Sequence, residues 1–186
     1  MMVFLRALLP LLLFALAGHA GAQGVLVDKS DIRFVSKQMG VNFEGRFRNW
    51  KANVVFLPND LARSKAEFDI DLASIDLESD DSESEIKGPL WFDTAKFPVA
   101  HFASASMKSL GADKFEVSGQ LTIKGVAKNA NVPISLKKDA AGNSVADGTF
   151  TVKRLDYGIG LGLWADTETV ANDVVVRVHM VLSPAK

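Results

Sequence analysis

Residues 115–124 alternate without a break. Phe115, Val117, Gly119, Leu121 and Ile123 fall on one side, and Glu116, Ser118, Gln120, Thr122 and Lys124 on the other. An extended chain repeats its side chains every two residues, so this order predicts a half-buried β-strand with one apolar and one wet face. Gly125 interrupts the run. Val132, Ile134 and Leu136 then resume the period, with Pro133 marking an edge or an irregularity.

The same period recurs along the chain. It predicts strands at 25–28, 31–37, 41–48, 53–57, 65–71, 99–107, 114–123, 132–137, 144–154 and 173–183. Ile32, Phe34 and Ser36 point inward from one; Phe43, Gly45 and Phe47 from the next; Ala66, Phe68, Ile70 and Leu72 from another. Gly45 inside its strand predicts a bend or a close backbone approach. The long antiparallel strands number about eight, enough to close a barrel around one slender ligand and remove its edges. One stretch departs from the rhythm. At 80–90, Ser82-x-x-Glu85 has the form of a capping box, Asp80 and Asp81 suit a helix start, and Gly88-Pro89 suits its end. The expected fold is all-β: an extended eight-stranded antiparallel barrel with a short helical insertion near residues 81–97.

Arg6, the apolar run at 7–17 and Ala20-Gly21-Ala22 have the layout of a secretory signal, too short to span a bilayer comfortably. The expectation is a cleaved leader at 1–22, one domain at 23–186 and a periplasmic location. The chain carries 21 basic and 22 acidic residues, and the leader's only charged residue is Arg6. That balance gives no electrostatic case for nucleic acid. No Cys is present, so a hydrophobic core supplies stability without disulfides. Twelve Phe against one Tyr suit a dry interior, since Phe brings apolar surface with no hydroxyl to satisfy.

Catalytic groups are sparse. Beyond the leader, the histidines are His101 and His179, both on outward strand positions and too few for a zinc site. There is no G-x-S-x-G and no thiol nucleophile. The acidic run 80–85 lacks the spaced ligands and Gly of a calcium loop. No metal is expected, nor enzyme activity. Arg154 and Asp156 fit mutual pairing or capping better than holding a polar head at a barrel mouth. Arg46, Arg48 and Lys51 beside Trp50 form a basic cluster, read as a solvated strand face ahead of a site of transient membrane contact. The glycines in 157–164 lack a strand–loop–helix context and are read as a mobile loop or mouth. Outward Val175 and Val181 leave open a homodimer through a strand face.

Several segments carry a resemblance. Residues 119–136, GQLTIKGVAKNANVPISL, resemble the G-x-LTI-x-G-V-x-K-x-V-x-L signature of the YceI-like family of secreted bacterial proteins. SDIRFVSKQMGVNFEGRFRNWKANVVF resembles the family's opening strands, FDTAKFPVAHFAS its mid-chain segment, and KRLDYGIG its R-x-D-F-G-I box. The likeness runs from Val25 to Leu182. Tyr157 stands where Phe is usual, and Asn129-Ala130-Asn131 replaces the usual K-P-V type run.

Alternation alone does not separate a filled core from a cavity wall. The resemblance implies the cavity: a lipocalin-like barrel whose lumen takes a long isoprenoid or similar lipid, such as an isoprenoid quinone or polyprenyl chain, with no covalent cofactor. It implies as lumen residues Phe34, Phe43, Phe47, Phe68, Ile70, Phe102, Leu121, Ile123, Phe150 and Val152, with Trp91, Phe92 and Trp164 near an opening. A periplasmic lipid carrier is the first expectation. An envelope stress-related scaffold with a filled barrel and no small-molecule ligand is the alternative.

Overall fold

The computed structural model describes residues 23–77 and 79–184. The expected leader at 1–22 lies outside the described residues. Ten strands form: β1 (Asp31–Gln38), β2 (Val41–Phe47), β3 (Trp50–Val55), β4 (Lys65–Asp71), β5 (Ile75–Asp76), β6 (Val99–Gly111), β7 (Lys114–Ile123), β8 (Val126–Lys138), β9 (Ser144–Lys153) and β10 (Asp173–Leu182). They make one antiparallel sheet in the order β3-β4-β6-β7-β8-β9-β10-β1-β2-β5, curled into a half-barrel.

The all-β, antiparallel architecture is the expected one, with ten strands where about eight were expected. β5 is two residues long and shows no period to read. Residues 25–28 hold a single bridge, Val25 to Leu182, followed by a 3-10 turn at Val27–Lys29. The ladder keeps two edges, β3 and β5. Asp71 N donates to Asn49 O and Arg48 N to Ser74 O, each at 3.0 Å, adding a rung to the β3–β4 and β2–β5 ladders. Gln23 N donates to Val54 O at 2.9 Å and so occupies part of the β3 edge, which would otherwise invite a second chain.

Inward parity is kept within strands and broken where an extra residue enters. β6 has register shifts between Ser104 and Ser106 and between Ser109 and Gly111. Ala100 and Phe102 are therefore buried, and the next buried position is Met107. The β8–β9 ladder ends at the Ile134–Gly148 pair. The next residue is Pro133, which has no N–H to give, so 126–133 pair with β7 alone. Gly45 makes room for a ring: a Cβ there would stand 2.3 Å from Cζ of Phe34.

The helix α1 spans Asp80–Lys87. Its N-cap is Ser79, whose Oγ accepts from Ser82 N at 3.4 Å, so the capping pair expected at Ser82 and Glu85 does not form. Glu83 instead reaches back to Leu77 N at 3.1 Å. Gly88 ends the helix as expected. Among the described residues no helix is long and apolar enough to cross a membrane.

Candidate functional site: an apolar cavity with a tied cap

The inward faces enclose an apolar cavity of about 230 Å³. Alternate residues of β9 (Ala146, Gly148, Phe150, Val152) and then Arg154 line one side, and Val174, Val176, Val178, Met180 and Leu182 of β10 continue it. Eight residue steps at the strand rise make this wall about 26 Å long. At one end Phe56 meets Phe115 edge-to-face, with ring centroids 5.2 Å apart. At the other, Phe92 packs on Phe47 and Trp91 on Trp164, the tryptophan centroids 5.5 Å apart.

Of the residues expected in the lumen, Phe34, Phe43, Phe47, Phe68, Ile70, Phe102, Leu121, Ile123, Phe150 and Val152 all border this cavity, as do Trp91 and Phe92. Trp164 does not. It covers Trp91, and its Nε1 donates to Oε1 of Glu85 on α1 at 2.9 Å. Other lining residues escaped the sequence reading for physical reasons. The bulges in β6 hide Met107, while Ile159 and Val170 stand in a connection without a period. Val54, Phe56 and Ile86 also border the cavity.

Arg154 corrects the expected pairing with Asp156. β9 ends at Lys153 and the chain turns through a 3-10 segment, Arg154–Tyr157, so the two side chains do not share a strand face. Arg154 is 2 % exposed. Its Nε donates to Ala171 O at 3.0 Å, Nη1 to Ile159 O and Gly160 O at 2.9 and 2.8 Å, and Nη2 to Trp164 O and Val170 O at 2.7 Å each. All five N–H groups are used. The guanidinium also lies 5.8 Å from the Trp91 ring centroid, and burial holds its pKa below the ordinary value.

The glycine-rich loop expected to be mobile is tied down. Gly160 N and Leu161 N both donate to Leu90 O, at 2.8 and 2.9 Å. Lys124 Nζ adds bonds to Pro89 O and Gly158 O at 3.0 and 2.9 Å, and burial lowers its pKa. Gly160 has φ +72°, and a Cβ there would stand 2.4 Å from Nη1 of Arg154. The loop is thus held by main-chain bonds around one guanidinium.

Arg46 and Arg48 lie on a solvated face, as expected, and both reach Asp76: Arg46 Nε lies 2.7 Å from its Oδ2 and Arg48 Nη2 2.9 Å from its Oδ1. The Asp76 bond raises the Arg48 pKa. Val181 is 4 % exposed beneath the chain at Leu26–Ser30, so it offers no outward surface to a second copy. His101 and His179 do face outward, each against a carboxylate, Asp69 at 2.7 Å and Asp147 at 2.6 Å. No group of three or more metal-ligating side chains occurs among the described residues.

The profile of the YceI-like domain matches residues 25–182. UPF0312 proteins are similar to this chain along most of its length. That of Azotobacter vinelandii is 28% identical over 88% of this chain and 89% of its own, and that of Pseudomonas syringae pv. syringae 31% identical over 77% and 80%. Among solved structures, Burkholderia cenocepacia BcnA superposes with a TM-score of 0.83 at 37% identity, covering 86% of this chain and all of that one. A polyisoprenoid binding domain from Saccharophagus degradans, implicated in plant cell wall breakdown, shares the fold with a TM-score of 0.70 at 17% identity, over 90% of this chain and all of that one. The sheet and these likenesses agree: the chain belongs to the YceI-like domain family.

Proposed function

We propose that the cavity holds a long apolar isoprenoid or related lipid, of quinone or polyprenyl type, and that the protein is a non-enzymatic carrier for it. The observation that carries this reading is the cavity itself, a slender apolar channel running the length of β9 and β10 where a filled barrel would have side chains. Each buried methylene contributes about 0.8 kcal/mol, so a long tail binds tightly without an ionic anchor. The polyisoprenoid binding domain with the same fold supports the choice of ligand class. The leader expected at 1–22 supports placement in the periplasm. We assign transient membrane contact to the exposed Leu90, Leu161 and Leu163 on the mouth, since Arg46 and Arg48 are engaged by Asp76.

Phe68→Trp tests the reading. Phe68 borders open volume, so the larger ring should reduce uptake of a polyprenyl alcohol while costing under about 1 kcal/mol of stability. Overpacking of a filled core would cost roughly 1–3 kcal/mol instead. Unchanged uptake with strong destabilisation would contradict the assignment.

A further inference from the structure

Two buried polar atoms on the cavity wall have no hydrogen-bond partner among the described residues: Oγ of Ser36, in a residue 5 % exposed, and Nε1 of Trp91, in one 9 % exposed. An unpaired donor in an apolar interior carries an uncompensated desolvation cost, and such groups are rare in folded proteins. Both lie toward the same end. Register places Val35 opposite Val175, and Val174 opposite Val152, so Ser36 stands at the level of Val152, two residues before Arg154. Trp91 packs against the Arg154 guanidinium itself.

We infer that Trp91 Nε1 and Ser36 Oγ form a hydrogen-bonding subsite at the capped end of the cavity for an uncharged oxygen of the ligand, an alcohol, phenol or carbonyl. This deepens the lipid-carrier reading and rests on it. The ligand then lies with its polar end under the cap and its tail running toward Phe56 and Phe115. The same geometry disfavours a phosphate or diphosphate head. Among the described residues Arg154 is the only cationic side chain on the wall, and its five N–H groups are spent on carbonyls. Lys124, nearby, is held by Pro89 O and Gly158 O. What remains is an indole N–H and a hydroxyl, a pair suited to a neutral acceptor.

The test uses delipidated protein and three probes: geranylgeraniol, geranylgeranyl diphosphate, and the hydrocarbon of the same chain. Wild type should bind the alcohol about tenfold more tightly than the hydrocarbon, since the alcohol satisfies buried donors that the hydrocarbon leaves unpaired. The diphosphate should bind more weakly than the alcohol. Trp91→Phe and Ser36→Ala should each shrink the alcohol-to-hydrocarbon affinity ratio several-fold. In an ¹⁵N spectrum the Trp91 indole resonance, identified by its loss in Trp91→Phe, should shift with the alcohol and not with the hydrocarbon. Ser36→Ala removes only an unpaired hydroxyl and should melt no lower than wild type, so its affinity ratio decides the matter even if Trp91→Phe folds poorly. An unchanged alcohol-to-hydrocarbon ratio with an unmoved indole resonance would overturn the subsite and leave the carrier reading standing. A preference for the diphosphate would overturn the uncharged head. Uptake of none of the probes would overturn both the subsite and the carrier reading.

Discussion

Arg154 concentrates more bonding than any other described side chain, and its environment holds no carboxylate. Five carbonyls from Ile159 to Ala171 converge on one guanidinium, so one residue sets the path of the connection between β9 and β10. Arg154→Met keeps much of the volume and leaves those carbonyls unpaired. We predict a loss of about 3–5 kcal/mol, read as a lower urea midpoint. Arg154→Lys should recover little, because one ammonium has three donors and no planar fork. Gly160→Ala tests the same knot from the backbone side. A positive φ and a Cβ pressed on Nη1 should together cost roughly 2 kcal/mol, whereas Gly142→Ala, with a similar φ and open space around it, should cost less. None of this bonding was legible in the sequence. Arg154 and Asp156 are two apart, which on a strand means one shared face, and only the turn after Lys153 separates them.

At the scale of elements, alternation carries real information as long as the ladder is regular. β4 and β7 have the bounds read from their side-chain period, and β10 differs by one residue. The misreadings fall where a local event resets the period: the bulges of β6, the first half of β8, which pairs only with β7, and the two-residue β5. The helix was expected from its acidic start and Gly88-Pro89 stop, but its cap is Ser79. Ser79→Ala should therefore cost about 1 kcal/mol, with faster amide exchange confined to α1 and the segment after it, while Ser82→Ala should change little. The β8–β9 hairpin gives a pH prediction. The Asp139 carboxylate accepts from Asn143 Nδ2 at 2.8 Å and from the main-chain N–H groups of Asn143 and Ala141 at 2.9 Å each. Chiefly through the Asn143 side chain, its pKa lies below the usual carboxylate value. A carboxylate lowered on folding stabilises the hairpin above its unfolded pKa and ceases to do so as pH falls through the folded one. Amide protection at 139–143 should accordingly drop on acidification below the ordinary Asp range, and Asp139→Asn should flatten that dependence.

For the molecule as a whole, the half-barrel, its channel and its tied loop form one device: an apolar interior bordered at one end by Phe56 on Phe115 and at the other by the Arg154 knot beneath Trp164. The wall was legible because every lining strand must alternate to build it. The tied conformation of the loop was not, because glycine-rich connections carry no period and their bonds are made by main-chain groups that every sequence possesses. The central claim is that this channel is a lipid site. The most direct measurement is mass spectrometry of an organic extract from the protein purified under native conditions from the periplasm. The account predicts a stoichiometric, uncharged prenyl lipid that is retained through purification and released by solvent. An extract with no lipid, from protein that also takes up no added prenyl alcohol, would contradict it.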